Sequence, residues 1–220
     1  MQFSVKTGKP VSQKTACAIV PVFAGSPLPA VTRAFDKAGR RQLAALQRSG
    51  EISGEPGSTA LIHHVTGIGA KRVLAVGCGR RADFNRKALH KATVAAIRAL
   101  ASTKITDAVT YLTLEAPHDC DAAAGARVSV EAARTAAYRF DELKSKPQSA
   151  TGPRRIGIGC ERDAAAEVRQ GIAAGTAIAD GADIARDLGN RPANVCTPSH
   201  LADAARDIAR QHAGLTSKAL

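Results

Sequence analysis

The 220-residue chain carries 31 Lys and Arg against 19 Asp and Glu, a formal net charge of +12, and is 45% hydrophobic, 23% charged and only 3% aromatic, with no Trp. That length holds one domain of about 150–190 residues plus a short extension, and the balance is that of a soluble globular protein with an aliphatic core and helices that approach through small residues. No run of 18 apolar residues reads as a membrane span, and MQFSVKTGKP lacks the charged start and apolar block of a secretory signal. Five cysteines, odd in number, far apart and without a CxxC, exclude a zinc knuckle and read as buried reduced thiols of a cytosolic protein.

In chain order, Gln2–Lys6 alternates apolar and polar side chains and predicts a short strand; Thr15–Val22 predicts a more buried one. Ala30–Gln47 has helical spacing with a break near Gly39. Ser49–Ser58 is a Gly/Ser/Glu-rich loop or bent hairpin, and Thr59–Val65 a strand that would turn His63 and His64 to opposite faces, one exposed and one packed. The apolar run Arg72–Val76 suits a central strand. After it, Asp83 is the expected cap of a helix Phe84–Ala101. Asp107–Leu114 predicts a strand, Asp121–Ala137 a helix, Phe140–Lys146 a short amphipathic piece, Lys146–Pro153 a loop and Arg155–Gly159 a strand. A long helix begins near Asp163 and runs to about Leu188, where Gly189 and Asn190 supply a stop. Arg191-Pro192 forces an extended step, and Thr197-Pro198 starts another helix. This alternation predicts a three-layer α/β domain with a mixed, largely parallel sheet.

Three stretches could carry chemistry. Gly77-Cys78-Gly79-Arg80-Arg81-Ala82 fits G-x-G-x-x-A between a strand and a helix, a turn able to offer backbone N–H groups to a phosphate, but no acidic residue follows at the required distance. His118-Asp119-Cys120-Asp121 packs metal-ligand types together, yet sits where Asp serves as a helix cap. Between Lys71 and Lys104 lie nine Lys or Arg and one acid, Asp83; a face of Arg80, Arg81, Arg86, Lys87, Lys91 and Arg98 would suit a phosphate backbone, although the stripe lacks aromatics for base stacking. The alternative is a solvated basic surface.

The segment from Asp180 to Ala202 brings in a family resemblance. Asp180, Gly181, Ala185, Arg186, Asp187, Leu188, Asn190, Pro192, Asn194, Thr197, Pro198, Leu201 and Ala202 stand in the spacing DGxxxARDLxNxPxNxxTPxxLA. This resembles the joint between the two domains of the leucyl (cytosol) aminopeptidases, the two-metal M17 family. RVLAVGCG at Arg72–Gly79 and YRFDELKSK at Tyr138–Lys146 are weaker echoes. The resemblance implies an N-terminal macro-like α/β domain at 1–162, a linker helix at 163–190, and the start of a catalytic domain, cut short, at 191–220. It implies a cytoplasmic parent enzyme that removes N-terminal amino acids from peptides, using two divalent metals (Mn, Zn or Mg) in a homohexamer. It also implies that these residues serve architecture rather than catalysis. The family's lysine-bearing glycine-rich segment and its NTDAEGR-like segment have no counterpart, and Asp163–Glu167 (DAAAE) is only a superficial match. No catalytic or metal-binding residue is therefore expected within the chain. Two further roles stay open: an accessory DNA-binding module on the basic face, and a nucleotide or ADP-ribose pocket at the Gly77–Gly79 turn.

Overall fold

The computed structural model describes residues 1–146 and 151–218, and it divides into two units, Met1–Tyr138 with Gln148–Ala179 and Arg139–Pro147 with Asp180–Leu220. The first unit is built on six strands, β1 (Gln2–Lys6), β2 (Ala18–Val22), β3 (Thr59–His63), β4 (Arg72–Gly77), β5 (Asp107–Thr110) and β6 (Arg155–Gly159). Their order across the sheet is β1-β6-β5-β2-β4-β3, with every pair parallel except β3–β4. The helices are α1 (Ala30–Ala38), α2 (Gln42–Arg48), α3 (Arg86–Ala101), α4 (Ala122–Ala137), α5 (Ala165–Asn190) and α6 (Pro198–Gln211). The three-layer α/β architecture with a mixed, mostly parallel sheet is thus the one the sequence predicts.

The layers follow from strand alternation. Val20, Val22, Val73, Ala75 and Val109 face α1 and α2, where Val31, Phe35 and Leu43 cover them. Ile19, Leu74, Val76, Ala108 and Ile156 face the other way, under Leu89, Ala96 and Leu100 of α3 and Val128 and Ala133 of α4. All five residues of β2 are buried, as a strand covered on both faces requires. Pro21 interrupts this central strand without breaking it. Its backbone points to the β5 side, where pairing has stopped at Ile19↔Thr110, and its carbonyl accepts the Thr32 hydroxyl at 2.6 Å.

Several boundaries move for reasons the local sequence does not contain. β5 ends at Thr110 rather than Leu114: Tyr111 turns its ring over Gly159 and donates its hydroxyl to the Pro10 carbonyl, and Leu112–Glu115 coil into a 3-10 turn. β3 stops at His63, since His64 takes φ +57°, so both histidines are exposed rather than one being packed. Phe140–Lys146 forms turns and not a helix, and the predicted loop Lys146–Pro153 has 147–150 outside the described residues. α5 runs through Gly189 to Asn190 without a left-handed stop; Pro192, which disfavours helical geometry in the residue before it, ends it instead. Thr197 caps α6, its side chain accepting from the His200 N–H, with Pro198 in the first turn. No helix among the described residues is long and apolar enough to cross a membrane.

Candidate functional site

In open α/β sheets a crevice forms where neighbouring strands send their following helices to opposite faces. Here that point lies between β2, which leads to α1, and β4, which leads to α3. A cavity of about 410 Å³ opens beside it, lined by the 55–57 loop, the Gly77–Arg80 turn and the first turns of α3.

The glycines of this turn serve packing. A Cβ on Gly77 would sit 2.0 Å from the Glu55 carbonyl oxygen and 2.2 Å from Ser58 Oγ, so the 54–58 loop can close on β4 only because residue 77 has no side chain. Gly79 has φ +81°, the left-handed region glycine favours. The backbone donors that a phosphate would need are already given away. Gly77 N–H donates to Ser58 O at 2.8 Å, Cys78 N–H to Val22 O at 2.8 Å and Gly79 N–H to Gly54 O at 2.9 Å. The turn is a sealed strand-to-helix joint.

The start of α3 is likewise filled, and by residues other than the expected one. Asp83 does not cap the helix; it lies in a 3-10 turn and pairs with Arg80 at 2.8 Å. Asn85 is the cap, its side chain accepting from Ala88 N–H at 3.0 Å. Asp119, from the loop before α4, accepts the Arg86 N–H at 2.6 Å, and the Arg86 guanidinium reaches the Asp119 carbonyl at 2.8 Å. A protein carboxylate thus occupies the position at the helix N-terminus where an anion would be favoured.

The six residues of the predicted basic face separate into two groups. Arg80, Arg81 and Arg86 each have a carboxylate partner: Asp83, Glu115 and Asp119. The Arg81–Glu115 pair, at 2.5 Å, is the firmest, because the Glu115 side chain is only 6% exposed and would be left buried and unpaired if Arg81 turned outward. Arg81 also lies over the Phe23 ring, 5.0 Å from its centroid. Lys87, Lys91 and Arg98, on one exposed side of α3, have no carboxylate partner among the described residues. Glu115 and Asp119 lie 34 and 33 residues from their arginines, so the sequence window that shows the positive stripe does not show its neutralisation.

The His118–Asp121 cluster is a joint of the same kind. His118 Nε2 lies 3.2 Å from the Arg81 carbonyl, Asp119 binds α3, and Asp121 caps α4 through Ala124 N–H at 2.7 Å, as its position before the helix predicts. No group of three or more His, Cys, Asp or Glu among the described residues could hold a metal ion. The two-metal centre of the resembled enzymes therefore has no fit to these residues. Cys17 and Cys78 are buried, and burial raises both thiols to about 12; Cys120, Cys160 and Cys196 are half-buried.

A mixed, mostly parallel α/β sheet whose β4–α3 turn spends its backbone donors on its own loops is joined to a 26-residue helix that runs into a second unit. The chain belongs to the cytosol aminopeptidase family, whose N-terminal domain profile matches residues 19–147. It is 37% identical over 211 residues to a probable cytosol aminopeptidase of Cupriavidus pinatubonensis, covering 92% of this chain and 41% of the relative. With a protein of the same description from Ralstonia pickettii it shares 39% over 220 residues, covering 96% and 44%. The chain thus spans less than half the length of these relatives. Among solved structures, a tomato leucine aminopeptidase mutant shares the fold, with a TM-score of 0.76 at 17% identity, covering 96% of this chain and 42% of that one. A bottromycin maturation enzyme in complex with Mn shares it at a TM-score of 0.67 and 24% identity, covering 90% and 36%.

Proposed function

We propose that these residues form the N-terminal, non-catalytic part of a two-metal leucyl aminopeptidase that releases N-terminal amino acids from peptides. The proposed division is a domain at 1–162, a linker helix at 163–190 and the start of the catalytic domain at 191–220. The observation that carries this reading is burial in the second unit. None of its described residues is buried, although it holds five large exposed apolar side chains, Leu143, Ile184, Val195, Leu201 and Leu215. A segment with an amphipathic helix and no core of its own needs further surface to cover it. In this reading the metals, whether Mn, Zn or Mg, belong to residues beyond those described. The present chain acts in architecture, within a cytoplasmic homohexamer.

A fusion provides the test. This chain, joined to the part of the Ralstonia pickettii relative that follows the matched region, should be soluble and should hydrolyse leucine amides only when a divalent metal is supplied. A soluble fusion that stays inactive with every one of the three metals, while the full relative works, would contradict the assignment.

A further inference from the structure

A second hollow, of about 780 Å³, lies against the sheet away from the β4–α3 turn, at the amino ends of β2, β5 and β6. It exists because α1 and α2 cover only the central strands on that face. Ser4 and Lys6 of β1 point outward beside Gly157 of β6, with no helix above them. Gly157 has no room for a side chain, since a Cβ there would meet Lys6 Cγ at 2.6 Å and Val109 Cγ2 at 3.1 Å; the Lys6 stem crosses the glycine.

Four separate segments bring cations to this hollow: Lys6 from β1, Lys14 before β2, Lys71 before β4 and Arg155 at the start of β6. All four are exposed, and none has a carboxylate partner among the described residues. One acid, Asp107, lines the hollow, and its carboxylate is engaged: Oδ2 accepts the Thr15 hydroxyl at 2.8 Å and the Ala16 N–H at 3.0 Å. This is the opposite of the α3 face, where each arginine of the turn has found an acid. Converging unpaired cations make a positive concavity that concentrates multivalent anions. Lysines act as point charges for phosphate and the arginine adds a planar fork. No aromatic side chain lines the hollow, so nothing is provided for stacking a base.

We propose that this hollow binds a small, multiply phosphorylated anion lacking an aromatic base. Inorganic tripolyphosphate is the probe, titrated into the full chain by calorimetry, with circular dichroism confirming that each variant is folded. Saturable 1:1 binding is expected, weakened at least about tenfold in Lys14→Glu/Lys71→Glu and unchanged in Lys87→Glu/Lys91→Glu on the other basic face. Equal weakening by both pairs, or no saturation, would mean diffuse attraction to a cationic protein and would overturn the proposal. Citrate binding as tightly as tripolyphosphate would overturn the phosphate assignment. Displacement of tripolyphosphate by a short DNA duplex, with the same sensitivity to Lys14 and Lys71, would make the hollow a nucleic-acid contact instead.

Discussion

At the residue scale, the turn after β4 is decided by what is missing from one side chain. With 2.0 Å between a Gly77 Cβ and the Glu55 carbonyl, Gly77→Ala must push the 54–58 loop off the strand and break the Gly77–Ser58 and Gly79–Gly54 hydrogen bonds. A loss of about 1–3 kcal/mol in urea unfolding is expected, the usual range for overpacking a filled site. An unchanged midpoint would show that the loop does not depend on the close approach. Asp119 makes a second test. Asp119→Ala removes the acceptor for the Arg86 N–H and should cost about 1 kcal/mol, as loss of a helix-end carboxylate does. The thiols make a third. Only the thiolate attacks a disulfide reagent, and burial holds Cys17 and Cys78 protonated, with their values raised to about 12 from 9.0. At neutral pH both should stay unreactive toward Ellman's reagent until the chain is unfolded, while the half-buried Cys120, Cys160 and Cys196 are open to it; rapid native reaction of Cys17 or Cys78 would show that the core opens readily.

At the scale of elements, α5 docks on α4 through glycine. A Cβ at Gly171 would fall 2.1 Å from the Ala123 carbonyl and one at Gly175 2.8 Å from that of Arg127, so the two helix backbones nearly touch. Gly171→Leu should therefore lower stability by about 3 kcal/mol or more. Gly181, on the same helix with nothing within 4 Å of its Cβ position, should behave oppositely: Gly181→Ala is expected to stabilise by about 0.5–1 kcal/mol through helix propensity and chain entropy. The contrast, read from denaturant midpoints, separates a packing glycine from a spare one. The Ala-rich composition foretells this close approach, and strands such as β1 and β6 and the caps Asp121 and Thr197 are legible because their determinants lie within a few residues. What is not legible depends on which contacts win, some of them local and some long-range. The α3 cap moves from Asp83 to Asn85 because Arg80 takes the Asp83 carboxylate and buried Phe84 fixes the turn. β5 ends early because Tyr111 finds Gly159 and Pro10, 101 residues away. The basic face reads as six like cations in sequence, while in space three of them are ion-paired, Arg80 by Asp83 within the stripe and Arg81 and Arg86 by Glu115 and Asp119 from outside it.

For the whole molecule, the decisive feature is that one unit has a core while none of the described residues of the other is buried. β2 and β4 lie inside the first, whereas α6 buries no residue at all. Amides of α6 should exchange with solvent far faster than those of β2 and β4, and limited proteolysis should cut first within 191–218 and leave the first unit resistant. Equal protection in both units would mean that the second is stabilised in a way its burial does not show. In the proposed function, the described residues supply architecture and no metal-dependent chemistry. The most direct measurement is hydrolysis of a leucine amide by this chain alone, with Mn²⁺, Zn²⁺ or Mg²⁺ added. Release no faster than the metal-only blank is expected; turnover that scales with protein concentration and vanishes with a chelator would overturn the proposed function.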